Sequence, residues 1–398
     1  MALARTTDVA AGPSWQGRFP RNDIISLLDV NRRFNLAEST SQDLSFGELL
    51  DLVGLEAVRD LRLGYGSAQG SPQLRAEIGG LTGVSPETVL TTQGTALALY
   101  LLAVELCRPG DEALLFTPCF PPSRDTLLGA GVVVREVPLR FEDGFRVDLA
   151  RFEGALTPGT KLVSIATPQN PSGVSTSVET IDAMLEIMAR KAPGAMLFVD
   201  ETYRYATYGD ASPAPSFADH DPRIISAASV SKAFGAPGLR VGWLTTGDAA
   251  LRDRLMTAKM NIVISGSPLD ETLAAHLIDR REVVLAPRRA LLARAIEEVA
   301  DWRASEADRI EWVRPDGGAL CCMRLRSERF DEAAVARFWA GHEERGLQLA
   351  SGTWFGAEAR TFRLGFGYLP PETLPRALAL LSGAMIAAET ANPTRSIE

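Results

Sequence analysis

The sequence predicts an α/β fold, with a mostly parallel central sheet covered by helices and a smaller α/β domain following it. Three observations predict it. From about Gly70 to Gly247, short aliphatic or β-branched runs bounded by Gly, Pro or polar residues alternate with helical stretches. That alternation belongs to sheets whose two faces are both covered. After Pro268 a long helical stretch gives way to a second, smaller set of strand-like runs around one helix. Finally, 398 residues with 46% hydrophobic and 23% charged side chains make a globular composition long enough for two packed domains.

Taken in order, VLTTQGTALALYLL (89–102) reads as a strand, a glycine turn and an apolar helix. Strands are then expected at ALLFTP (113–118), VVVREVPL (132–139), KLVSIATP (161–168), AMLFVDE (195–201), RIISAAS (223–229) and VGWLTTG (241–247). The helical stretch from Leu269 to Trp302 is expected to be interrupted at Pro287. IEWVRP, GGALCCMRLR, a helix near 331–345, LQLASG and TFRLGFG complete the small unit. The expected organisation is a segment 1–54 packing with the small domain, a large domain 55–285, a small domain 286–390 and a loose tail 391–398. In such sheets ligands bind outside the carboxyl ends of the strands, so the residues following each run matter most.

Bulk features exclude several classes. A net charge of −9 argues against a nucleic-acid surface. No apolar run approaches the roughly 20 residues that span a bilayer, and the start of the chain lacks a signal-peptide core. Cys321 and Cys322 are adjacent in a strand-like run, Cys107 is expected in an apolar helix and Cys119 in a turn. That is neither a disulfide framework nor a metal spacing, and it predicts a cytoplasmic protein without a metal site. His220, His276 and His342 are too scattered to suggest histidine chemistry.

The strongest local signal is SVSKAFGAPGLRVGW (229–243). Lys232 directly follows a strand, between serines and a glycine-rich turn that brings backbone close to something. An amine there can form a Schiff base with a carbonyl cofactor. Arg240 offers a planar fork suited to phosphate.

This segment resembles the cofactor-lysine motif of the fold-type I pyridoxal-phosphate (PLP) aminotransferases, in their class I/II, aspartate aminotransferase-like branch. The resemblance runs from about residue 63 to 367. It implies the PLP-transferase fold, with PLP as cofactor and Lys232 as the residue that holds it. Asp200, at the end of AMLFVDETY, then pairs with the pyridine nitrogen, and Tyr203 with the ring hydroxyl. Asn170 in ATPQNPSG also serves the ring hydroxyl and lies on the substrate side. Gly94, Thr95 and Ala96 open a helix whose free N–H groups suit an anion. They are the expected phosphate cradle, with Ser229, Ser231 and Arg240. Phe120 in FTPCFPP stacks on the ring. Tyr65 in LGYGSAQGSPQLR reaches the phosphate of a neighbouring subunit, which implies a homodimer with shared sites. Arg363 in TFRLGFG grips the substrate α-carboxylate.

The expected reaction is transfer of an α-amino group to a keto acid, with Lys232 moving the α-proton. KMNIVISGSPLD lacks the arginine that reads a distal carboxylate in dicarboxylate-specific members. Glu38 and Asp43 in NLAESTSQD, at the expected entrance, point instead to a basic amino acid. Two alternatives stay open. One is another PLP outcome: decarboxylation, elimination, racemisation, or cyclisation and oxidation of a basic amino acid. The other is a regulator domain of the same fold, disfavoured because no basic winged-helix pattern precedes Tyr65.

Overall fold

The computed structural model describes residues 17–30 and 32–390. The first residues and the tail read at 391–398 lie outside the described residues. Thirteen strands are present among them: β1 (Phe34–Asn35), β2 (Val89–Thr92), β3 (Glu112–Thr117), β4 (Val133–Pro138), β5 (Thr160–Ala166), β6 (Met196–Asp200), β7 (Ile224–Ser229), β8 (Gly242–Thr246), β9 (Ile310–Trp312), β10 (Leu320–Leu325), β11 (Leu347–Gln348), β12 (Ala350–Ser351) and β13 (Thr361–Gly365).

Seven of them form the central sheet in the order β2-β8-β7-β6-β5-β3-β4. All run parallel except β8, which is antiparallel to both its neighbours. The five inner strands β3, β5, β6, β7 and β8 carry nearly continuous buried residues, as a doubly covered sheet requires. The helix Val178–Lys191 shows how the cover forms. Ser177 caps its first turn by accepting from Thr180 N–H, and Ile181, Met184, Leu185 and Met188 make one buried stripe. Arg190 and Lys191 close its last turn, where cations oppose the helix dipole.

Beyond residue 305, β12-β13-β10-β9 make a four-stranded antiparallel sheet. β1 pairs in parallel with β11, so the N-terminal segment lies against the late part of the chain.

The interruption expected at Pro287 does not occur. Helix Arg281–Ser305 is continuous through it, and the break falls at Arg280, where helix Pro268–Asp279 ends. Proline removes one N–H, which would have served the Val283 carbonyl. Val283 is exposed, so water can satisfy that oxygen. The same helix runs across the boundary expected at 285/286. Cys107 is not inside a helix but caps the C-terminus of Gly94–Leu106.

Lys259 is fully buried. Its Nζ donates to Ala68 O at 2.7 Å and to Thr91 Oγ1 at 3.2 Å, and Thr91 Oγ1 donates to Glu271 Oε1 at 2.7 Å. Glu271 Oε2 accepts from Ser71 N–H at 2.7 Å, which fixes the loop 64–71 beside β2.

Candidate active site

Asp200 ends β6, Lys232 follows β7 by three residues, Asn170 follows β5 by four, and Gly94 follows β2 by two. All four therefore stand at the carboxyl edge of the parallel strands.

At the β2 exit the chain must turn sharply into helix Gly94–Leu106, and Gly94 takes φ +70°. A side chain there would lie 2.7 Å from Arg240 Nη2, so the guanidinium occupies the space glycine leaves. Gly242 on β8 is equally constrained, since a Cβ would approach the Gly94 carbonyl carbon to 2.7 Å. Turn, strand and arginine thus meet at one corner. Thr95 Oγ1 lies 3.2 Å from Thr202 Oγ1, and Ala96 is exposed in the first helical turn. Ser229 Oγ accepts from Ser231 N–H at 3.3 Å. Arg240 has φ +52° and donates Nη1–H to Pro237 O at 3.0 Å.

Asp200 is oriented by Thr202, whose N–H (3.0 Å) and hydroxyl (2.5 Å) both donate to Oδ1. Its Oδ2 has no hydrogen-bond partner among the described residues. Burial pushes the Asp200 carboxyl up, against the Thr202 hydrogen bonds that favour its charge. A cation placed against Oδ2 would relieve that penalty.

Arg363 projects from β13, an inner strand of its sheet, and is 2% exposed. It donates Nε–H (3.1 Å) and Nη2–H (2.5 Å) to Ala37 O and Nη1–H (3.1 Å) to Asn170 Oδ1. Its guanidinium lies 4.9 Å over the Phe355 ring. No carboxylate is within ion-pair distance of it among the described residues. Burial pushes its pKa down, with Tyr203 and Glu38 acting against this.

Asn170 Nδ2 donates to Tyr203 OH at 3.3 Å, Tyr203 OH donates to Ser39 Oγ at 2.9 Å, and Lys232 Nζ donates to Ser39 Oγ at 3.2 Å. Lys232 Nζ also lies 5.9 Å from the Tyr203 ring centroid. The structure therefore brings Lys232, Asn170, Tyr203 and Arg363 into one network, and adds Ser39, which the sequence did not single out. Three hydroxyl residues in a row, Ser39, Thr40 and Ser41, give no pattern that marks one of them. Thr202, which aims Asp200, was also missed, since a lone threonine between Glu201 and Tyr203 carries no motif of its own.

Ser39 is delivered by a strap, residues 36–44, laid along β13. Leu36 O accepts from Gly365 N–H at 2.7 Å, and Leu44 N–H donates to Gly235 O at 2.7 Å. Gln42 O accepts from Arg288 Nη1 at 2.7 Å. A Cβ at Gly365 would fall 1.6 Å from Glu38 O, so glycine is what lets the strap lie so close. Glu38 and Asp43 are both on the strap, close enough for Glu38 to act electrostatically on Arg363 and Lys232 on Asp43. The Asp43 carboxyl is pushed up by burial and by Glu38, while Lys232 and Arg288 pull it down. Tyr368 is pushed up by burial and then by both acids.

Two residues stand apart from this network. Tyr65 is 85% exposed on the loop before Ser71. Phe120 caps helix Pro121–Gly129 at the β3 exit, partly exposed, next to Cys119, whose N–H donates to Phe355 O at 2.9 Å.

The family profile described as aminotransferase class I and II matches residues 45–381. Capreomycidine synthase of Streptomyces vinaceus is 30% identical over 382 residues, covering 95% of this chain and 96% of that protein. An arginine–pyruvate transaminase of Pseudomonas aeruginosa is 28% identical, covering 76% of this chain and 77% of its own. Among solved structures, the PLP-dependent cyclase OrfR superposes with a TM-score of 0.79 at 26% identity, covering 89% of this chain and 93% of that one. A PLP-dependent aminotransferase of Streptococcus suis gives a TM-score of 0.84 at 24% identity, covering 94% of this chain and all of that one, which speaks for the fold.

Proposed function

This chain belongs to the class I and II aminotransferase family, whose cofactor is pyridoxal 5'-phosphate, and from that premise we propose that it transfers the α-amino group of a basic amino acid to a keto acid. The observation that carries the reading is Arg363. A guanidinium 2% exposed, with no carboxylate partner among the described residues, is a buried charge short of its counter-ion. A substrate α-carboxylate supplies it.

The remaining roles follow from position. When bound, PLP supplies an aldehyde that accepts an amine and a ring that stores the electrons released at the α-carbon. Lys232 would hold that aldehyde, and its amine when free would carry the α-proton. Asp200 offers Oδ2 to the ring nitrogen, Asn170 and Tyr203 serve the ring hydroxyl, and Phe120 covers a ring face. The N–H groups at Gly94, Thr95 and Ala96 hold the phosphate with Ser229, Ser231 and Arg240. Exposed Tyr65, Leu63 and Ile264 support a homodimer in which Tyr65 serves the partner's phosphate. Glu38 and Asp43 favour a cationic side chain, and no arginine occurs between 259 and 270 to receive a second carboxylate. Four free, buried cysteines suit a reducing cytoplasm. No helix among the described residues is long and apolar enough to cross a membrane.

A second reading has its own support. The likeness to the PLP-dependent cyclase OrfR, at 26% identity and a TM-score of 0.79, favours cyclisation of a basic amino acid on the same residues. One experiment tests both: the PLP-loaded protein is given arginine in single turnover and the products are identified. The keto acid of arginine supports transfer, whereas a ring that keeps the α-nitrogen supports cyclisation. Reaction with glutamate but neither arginine nor lysine overturns the basic-donor proposal.

A further inference from the structure

We propose that Ser39 is a positioning residue for Lys232, holding its amine in line when that amine is not bonded to the cofactor; this rests on the PLP reading above. Three observations on this chain carry it. The hydroxyl is within hydrogen-bond distance of Lys232 Nζ, at 3.2 Å, and of Tyr203 OH, at 2.9 Å. Ser39 is 2% exposed, so water does not compete for those contacts. The strap that carries it is fastened on both sides, by Ala37 O on Arg363 and by Gln42 O on Arg288.

A lysine side chain is long and has about four rotatable bonds, so a freed amine samples many positions unless something fixes it. Both contacts fill acceptor sites on Ser39 Oγ and leave its own hydrogen to donate. No described protein atom receives that hydrogen within the network. The two accepted contacts are what aim the amine, and the remaining hydroxyl hydrogen lies on neither of them.

The test compares Ser39→Ala with Ser39→Thr, which returns a hydroxyl. For Ser39→Ala, kcat is expected to fall about tenfold with KM within about twofold, because the loss concerns proton transfer rather than ground-state binding. The α-deuterium isotope effect on kcat should rise, and Ser39→Thr should recover at least part of both. A second readout needs no turnover. Apoprotein is mixed with PLP, trapped with borohydride at timed intervals, and labelling of the Lys232 peptide is counted by mass spectrometry. Ser39→Ala should label several-fold more slowly than wild type. Equal isotope effects and equal labelling rates in Ser39→Ala and wild type overturn the proposal. If wild type itself fails to label at Lys232, the PLP assignment has failed first, and labelling that succeeds with unchanged Ser39→Ala kinetics rejects Ser39 alone.

Discussion

Arg363 and Lys232 stand at the two ends of one unbroken run of hydrogen bonds, through Asn170, Tyr203 and Ser39. The groups assigned to the substrate carboxylate and to the α-proton are therefore set by shared geometry, which is how proximity contributes to rate.

Replacing Lys232 with Ala removes the amine on which the proposed function depends. The purified variant should lack the visible absorbance of bound cofactor, and turnover should fall at least about a thousandfold, within the range for losing a general acid–base group. A yellow, active variant would falsify the assignment.

Gly94→Ala tests the proposed phosphate corner. Ala at φ +70° is strained by about 1–2 kcal/mol, and its Cβ displaces Arg240. The apoprotein should lose about that much stability, and equilibrium dialysis should show PLP affinity reduced at least tenfold, on the order expected from losing one charge-assisted contact.

For Arg363→Met, stability and function should part. Removing a buried charge that lacks a counter-ion is expected to leave the apoprotein's unfolding midpoint unchanged or higher. The KM for the amino donor should rise about a hundredfold, the size of a lost bidentate pair. A large drop in stability with unchanged KM would make Arg363 a structural residue.

Glu38→Gln and Asp43→Asn should lower kcat/KM for arginine more than for a neutral donor such as alanine. Because burial and Glu38 hold the Asp43 carboxyl above its usual range, its attraction for a cation is lost as pH falls through that raised value. The arginine-to-alanine ratio should therefore decline on acidification in wild type, and more weakly in Asp43→Asn.

Lys259 gives a stability test away from the site. Burial pushes its amine down to about 8 from 10.5, with Glu271 opposing. Between those values the unfolded chain binds a proton that the folded chain does not, so folding gains as pH rises through that window, by up to about 3 kcal/mol. Urea unfolding at pH 7.5, 9 and 10 should show wild type gaining on Lys259→Met step by step. A constant difference between the two proteins would reject the buried-amine explanation.

Much of this site was legible because strand exits are punctuated. Asn170, Asp200 and Lys232 each follow an apolar run and precede a turn, and the sheet then brings the three exits to one edge. Arg363 stood out in TFRLGFG for its motif, although its burial on an inner strand could not be read from residue type. The reversed direction of β8 was not legible, since VGWLTTG is as apolar as its parallel neighbours. Its cue is the connection from β7 to β8, which holds only the short turn Pro237–Leu239 and no crossover helix. Pro287 misled because a proline's effect depends on whether its orphaned carbonyl reaches water, which is a property of the packed helix. Ser39 depended on the strap, and the strap depends on Gly365 and Arg288, more than 200 residues away in sequence.

The four cysteines have a practical side. Cys119 and Cys322 are pushed up to about 12 and Cys107 to about 11 by burial, and burial raises Cys321 as well. Thiols so protonated and enclosed are slow toward alkylating dyes at neutral pH. A cysteine introduced at an exposed position such as Leu128 would thus be labelled nearly alone, opening the native chain to fluorescence distance measurements without first stripping its own sulfur.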